Sequence, residues 1–176
     1  MRFLLASGTL WQREIVRFYR EPSRVIGALA PPLLFWFLIG SGLGESFEAP
    51  GASAGTTYLQ YFFPGTIILI LLFTSIFSTI SIIEDRREGF LQSVLVAPVS
   101  RLAVVVGKLL GSTTLAFLQG LPFLILAPLA GLELRAASLP GVLLLLFVIA
   151  FGLAGLGFCL AWVMDSTQGF HAIMNL

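Results

Sequence analysis

Residue types that carry out chemistry are few and scattered in this sequence. His171 is the only histidine and Cys159 the only cysteine, whereas a metal site needs three or four ligands brought together. Gly107 and Lys108 resemble the end of a phosphate-binding loop, but Leu109 stands where that loop needs Ser or Thr. The sequence therefore predicts no catalytic residue, no metal and no cofactor on this chain.

The composition instead predicts an integral membrane protein. Of the 176 residues, 57% are hydrophobic and 11% are charged, whereas about a quarter are charged in an ordinary soluble domain. So few charges cannot cover a surface in water, and the abundance of Leu, Phe and Ile excludes disorder. Each of four apolar runs is long enough to cross a ~30 Å hydrocarbon core: 25–43, 58–83, 102–130 and 139–164. We expect one all-α, polytopic transmembrane domain over 1–176.

The positions of the basic residues predict the orientation. All of them except Arg135 fall on one side of the predicted membrane, and such a bias marks the cytoplasmic side. The N-terminus is therefore expected in the cytoplasm and the chain in the cell (inner or plasma) membrane. From Gly169 onward the sequence turns apolar again and looks like the entry to a fifth span, so we expect a fragment or a truncated product.

The residues before the first span predict an interfacial helix at about 9–22. On a helical wheel Arg13, Arg17 and Arg20 share one side, and Trp11 lies opposite them. This pattern is typical of a helix with its apolar face in the acyl boundary and its arginines at the lipid phosphates. Alternatively, the arginines only fix the orientation of the chain.

The segment 84–101, between the second and third spans, has five charges followed by a short amphipathic stretch that Pro98 ends. Its apolar residues share one face of a helix: Phe90, Leu91, Val94 and Leu95. The residues alone leave two interpretations open. The helix lies on the lipid surface, or it docks into a groove on a cytoplasmic partner.

This segment resembles the signature of the type-2 ATP-binding-cassette exporter permeases. The string EDRREGFLQSVLVAPVSR is similar to the family pattern of an acidic residue, a glycine, an apolar stretch, a proline and Ser-Arg ahead of Gly-Lys. The matching residues are Glu84, Gly89, Leu91, Leu95, Pro98, Ser100, Arg101, Gly107 and Lys108. The N-terminal arginines resemble the family's amphipathic helix, so the resemblance covers essentially the whole chain.

The resemblance implies an exporter subunit with six spans, of which four are visible, that forms half of the substrate path. It implies a second permease half, identical or different, and a separate ATPase subunit that binds ATP and Mg and receives the 84–101 helix. The chain itself is then not an enzyme, and no nucleic acid is a partner. The docking contacts would be Phe90, Leu91, Val94 and Leu95, the ionic contacts at the rim Glu84, Arg86, Arg87 and Glu88, and the residues that shape the ends Gly89 and Pro98.

Two other classes stay open, an ATPase-independent secondary transporter and a membrane scaffold. Coupling to ions usually needs charged groups within the membrane, and none lies deep in the predicted spans. Polar groups there are few: Thr74, Ser78, Ser81 and Gln119. They could line a substrate path, but hydroxyls commonly bond back to their own helix, and a lone amide commonly bonds to a neighbouring helix. Lys108 is expected to snorkel at the inner boundary of the third span.

Overall fold

The computed structural model describes residues 2–43, 55–132 and 136–174, and all regular elements in this part of the chain are helices. The α-helices, in chain order, are α1 (Arg2–Arg20), α2 (Pro22–Leu43), α3 (Tyr58–Arg87), α4 (Phe90–Val96), α5 (Arg101–Ile125), α6 (Leu139–Val163) and α7 (Thr167–Met174). Two short 3-10 helices, Ala127–Ala130 and Ala136–Ser138, lie between α5 and α6. The predicted all-α fold is confirmed.

Four of the described helices are long and apolar enough to cross a membrane, and they cover Pro22–Gly42, Tyr58–Arg87, Arg101–Ile125 and Ala136–Val163. The predicted spans at 25–43, 58–83 and 139–164 agree closely with α2, α3 and α6. The third span differs, because α5 ends at Ile125 and a 3-10 turn containing Pro128 follows it. Proline has no N–H to continue the α-helical hydrogen bonds.

The central helix is α3, against which α2, α5 and α6 all pack. A capping box fixes its first turn: Thr57 Oγ1 accepts from the Gln60 N–H, and the Gln60 side chain accepts from the Thr57 N–H. Further along, Phe63 of α3 stacks on Phe123 of α5 with 4.8 Å between the ring centroids. Close packing of this kind holds helices together in lipid, where burial of apolar surface drives little association.

The N-terminal helix α1 lies directly on α5 because two glycines of α5 face it. A Cβ at Gly107 would lie 2.7 Å from the Ser7 carbonyl oxygen, and one at Gly111 would lie 2.8 Å from the Glu14 Cβ. The helix predicted at about 9–22 therefore begins earlier, at Arg2, and rests on protein along this face.

The predicted entry to a fifth span lies in α7. Its Phe170 is fully buried in an apolar cluster with Ile83 of α3 and Ala161 of α6. The start of α7 is thereby fixed beside the end of α3, which brings it close to the segment considered next.

Candidate functional site: α4 and the charged cluster beneath it

The segment 84–101 is built from the end of α3, a turn at Gly89, the helix α4 and the cap of α5. Gly89 has φ +76°, a left-handed conformation that a residue without a Cβ adopts without strain. Beyond α4, Pro98 is exposed, and Ser100 Oγ accepts from the Ala103 N–H at 3.2 Å to cap α5. The short helix predicted between Gly89 and Pro98 is therefore present.

The apolar face of α4 is turned into the protein. Leu91 is 4% exposed and packs against Leu10 of α1 and Val104 of α5. Phe90 and Val94 pack against the same group, and the Arg13 guanidinium lies 3.7 Å from the centre of the Phe90 ring. Leu91 was expected to contact a partner, but this packing removes it from the accessible surface.

A different side of α4 is accessible. It is formed by Gln92, Ser93, Leu95 and Val96, and the two apolar side chains, Leu95 and Val96, are 41% and 89% exposed. Of the four predicted docking contacts, Leu95 is therefore the most accessible. Val96 was not among them, because on the helical wheel it falls outside the apolar face.

Beneath α4, Asp85 receives hydrogen bonds from three basic side chains. Arg13 donates two, at 2.8 and 2.7 Å, Arg17 donates one at 2.7 Å, and Lys108 donates one at 2.5 Å. The Asp85 side chain is fully buried. Bidentate charge-assisted bonds are among the strongest in proteins, so Asp85 ties α1, α3 and α5 together at one point. These bonds to Asp85 also raise the pKa of Arg13 above its ordinary value.

Lys108 does not snorkel, contrary to expectation. Its side chain is 2% exposed, and its Nζ donates to Glu14 Oε1 at 2.9 Å as well as to Asp85. The second oxygen of Glu14 accepts from Ser81 Oγ at 2.5 Å. Because two carboxylates are available within the protein, the ammonium group needs no water or lipid phosphate.

Glu84 and Asp85 point in different directions, as expected for neighbours on a helix. Glu84 accepts from Arg17 at 2.8 Å and from Arg24 of α2 at 2.7 Å, and Arg24 also bonds Glu21. We call the resulting set the charged cluster. It comprises the bases Arg13, Arg17, Arg24 and Lys108 and the acids Glu14, Glu21, Glu84 and Asp85, so its formal charges cancel. It joins the ends of α1, α2, α3 and α5.

The predicted contacts of the N-terminal arginines with lipid phosphates need correction. Arg13 and Arg17 point into the charged cluster, because Glu84 and Asp85 lie within their reach. Trp11 is partly exposed, but its indole N–H donates to Thr114 at 3.0 Å. Arg20 is exposed and forms no ion pair with any described residue.

The predicted ionic rim is also partly used within the chain. Arg86 bonds the carbonyl oxygens of Trp162 and Met164 at the end of α6 and lies 3.4 Å from Asp165, and Glu84 belongs to the charged cluster. Arg87 and Glu88 are exposed, with Glu88 4.0 Å from Arg17. These two are the charged residues next to α4 that remain most open to a partner.

The polar groups within the spans mostly satisfy their own helices. Thr74 donates to the Ile70 carbonyl at 2.7 Å, and Ser78 donates to the Ser75 carbonyl at 3.1 Å. Ser81 instead donates to Glu14. Gln119 was expected to bond a neighbouring helix, but its amide nitrogen is buried without a hydrogen-bond partner in the described part of the chain.

Sequence reasoning missed Glu14 and Asp85, the two most deeply buried acids. A helical wheel of α1 groups the arginines correctly but cannot show which neighbour they face. The available signal was Lys108, a lone charge in an apolar run, since such a charge is usually paired when buried.

Comparisons with known proteins agree with the resemblance of the 84–101 segment. The sequence profile described as "ABC-2 type transporter" matches residues 6–176. A protein of Cyanophora paradoxa named "Putative transport permease ycf38" is 27% identical over 89% of this chain and 54% of its own length. Its namesake of Porphyra purpurea is 26% identical over 68% of this chain and 41% of its own length. The chain thus spans about half the length of these relatives. No solved structure matches it.

Proposed function

The chain belongs to the ABC-2 type transporter family, and from that premise we propose that it is the membrane subunit of an ATP-driven exporter. It pairs with a second permease half in the cell membrane and keeps its N-terminus in the cytoplasm. ATP and Mg bind to a separate ATPase subunit, which docks on the segment 84–101.

The observation that carries this proposal is the accessible side of α4. Leu95 and Val96 are exposed on a helix whose opposite face is held by α1 and α5. A helix that only rests on lipid would turn its largest apolar face outward, whereas α4 buries that face in its own protein. The surface that remains, with Gln92 and Ser93 beside the two apolar residues, is small and mixed. Such a surface fits a groove on a protein partner.

The charged cluster supplies the mechanical connection. A force on α4 reaches α1 and α5 through Leu91 and reaches α3 and α2 through Asp85 and Glu84. Because buried ion pairs hold defined distances, these helix ends move as one body. Closure of two ATPase subunits would therefore displace the cytoplasmic ends of three spans together rather than bend one loop.

The test is co-purification of the permease with the ATPase encoded beside it, from mild detergent. The double variant Leu95→Asp/Val96→Asp is expected to reduce the recovered ATPase at least about tenfold, as for loss of an interface hot spot. The matched control is Leu4→Asp/Leu5→Asp, because these side chains are also exposed, at 73% and 69%. It should retain the ATPase. Equal recovery with both double variants, or no binding to wild type, would refute the docking assignment and favour a secondary transporter or a scaffold.

A further inference from the structure

A groove of about 410 Å³ lies along α2, α3 and α5, at some distance from α4. Tyr19 and Val25 line it at the end nearer the charged cluster, and Leu33 and Leu126 line it further along the same two directions of chain. Its volume falls in the range of about 300 to 1,000 Å³ that is typical of small-molecule sites. Except for Gln119, the side chains that line it are apolar or aromatic.

Gln119 is the polar exception in this groove. It is 5% exposed, and its amide nitrogen has no hydrogen-bond partner among the described residues. A buried donor without an acceptor is destabilising, and water is a poor occupant of a site with one polar group, since it needs two to four. The geometry calls for an apolar molecule that carries a hydrogen-bond acceptor.

The surroundings of the groove indicate where such a molecule comes from. The groove is bounded by α2, whose apolar span is the least buried of the four, so it opens toward lipid. Arg20 follows Tyr19 in the chain and is exposed without an ion pair to any described residue. A guanidinium in that position suits a phosphate group.

We propose that this groove binds one phospholipid of the bilayer. An acyl chain packs along Val25, Leu29 and Leu118, a lipid carbonyl accepts from the Gln119 amide, and the phosphate meets Arg20. The lipid fills the space between α2 and α5, which otherwise contact each other little and are joined through α3. The proposal is independent of any ATPase and of the transported substrate.

The proposal is tested by native mass spectrometry of protein released from vesicles of phosphatidylethanolamine and phosphatidylglycerol. Wild type should retain one phospholipid. Leu118→Trp, which fills the groove, should lose it, and Gln119→Leu and Arg20→Gln should each lower the retained fraction roughly two- to tenfold, the effect of one hydrogen bond. The control Leu144→Trp adds the same ring to an exposed site on α6 and should behave like wild type.

A second measurement guards against variants that simply fold less well. Added phospholipid should raise the melting temperature of wild type more than that of Gln119→Leu, since a ligand stabilises in proportion to its affinity for the folded state. Equal retention by all four variants and wild type would overturn the proposal. So would a retained molecule that is lost in Leu118→Trp but is not a phospholipid, which would make the groove a substrate site.

Discussion

Asp85 carries its charge where water cannot reach it, and three bases compensate for the lost hydration. Removing one member of such a set leaves the others as uncompensated buried charges, which is strongly destabilising. Lys108 is the most sensitive base, because its ammonium group is itself buried and is shared between Asp85 and Glu14.

We therefore expect Lys108→Met to lower the free energy of unfolding by about 3–5 kcal/mol, measured by denaturation in detergent. Glu14→Gln in the same molecule should restore part of that loss, because Lys108 is the closest basic partner of Glu14. Arg87→Met is the control, since Arg87 is exposed and a surface change of this kind stays within about 0.5 kcal/mol. A Lys108→Met protein as stable as the control would contradict the assignment.

The contact between α1 and α5 depends on a single missing side chain at Gly107. We expect Gly107→Ala to lower the free energy of unfolding by about 1–3 kcal/mol, because the new methyl group would meet the backbone of Ser7. The same change at Gly155, where a Cβ meets nothing within 4 Å, should be neutral or stabilising by up to about 1 kcal/mol. The pair of thermal melts decides it: the α1–α5 packing is wrong if both alanines behave alike.

At the scale of elements, Gly89 sets the angle between α3 and α4. A Cβ at Gly89 has open space, so the strain of Gly89→Ala comes from the left-handed backbone alone, which is unfavourable by roughly 1–2 kcal/mol. We expect this variant to tilt α4 and weaken ATPase recovery. Gly89→Asn should keep it, since Asn tolerates that conformation.

Gly55 offers the matched control for that prediction. It has φ +89° and equally open space but lies at the other end of α3. Gly55→Ala should therefore carry the same backbone strain and leave ATPase recovery unchanged. Loss of recovery in both variants would attribute the effect to general instability.

Sequence and structure agree best where one helix decides the outcome alone. The spans follow from apolar length, which needs no knowledge of neighbours, and α4 follows from Gly89 and Pro98. The partners of Arg13, Arg17 and Lys108 could not be predicted, because they depend on how three helices cross. Gly107 permits that crossing, but a pair of small residues four apart occurs in many helices, so its meaning emerges only once α1 is seen to face it.

At the scale of the whole molecule, the orientation in the membrane is open to a direct test. In a Cys159→Ser background, which removes the single cysteine, Ser93→Cys on α4 should react with an impermeant maleimide only after the inner side is exposed. Ala137→Cys, an exposed position between α5 and α6, should react in intact cells. The reverse pattern would place α4 outside the cell and exclude a cytoplasmic ATPase as its partner.

The central claim is that the accessible side of α4 touches an ATPase subunit, and site-specific photo-crosslinking measures this most directly. A photoreactive amino acid is placed at Val96, which is 89% exposed, and the permease is co-expressed with the adjacent ATPase. We predict an ultraviolet-dependent adduct at the summed mass of the two subunits, and none from Leu129, which is comparably exposed, at 81%, near the opposite end of the bundle. An adduct from Leu129 alone, or none from Val96 while the two proteins co-purify, would contradict the claim.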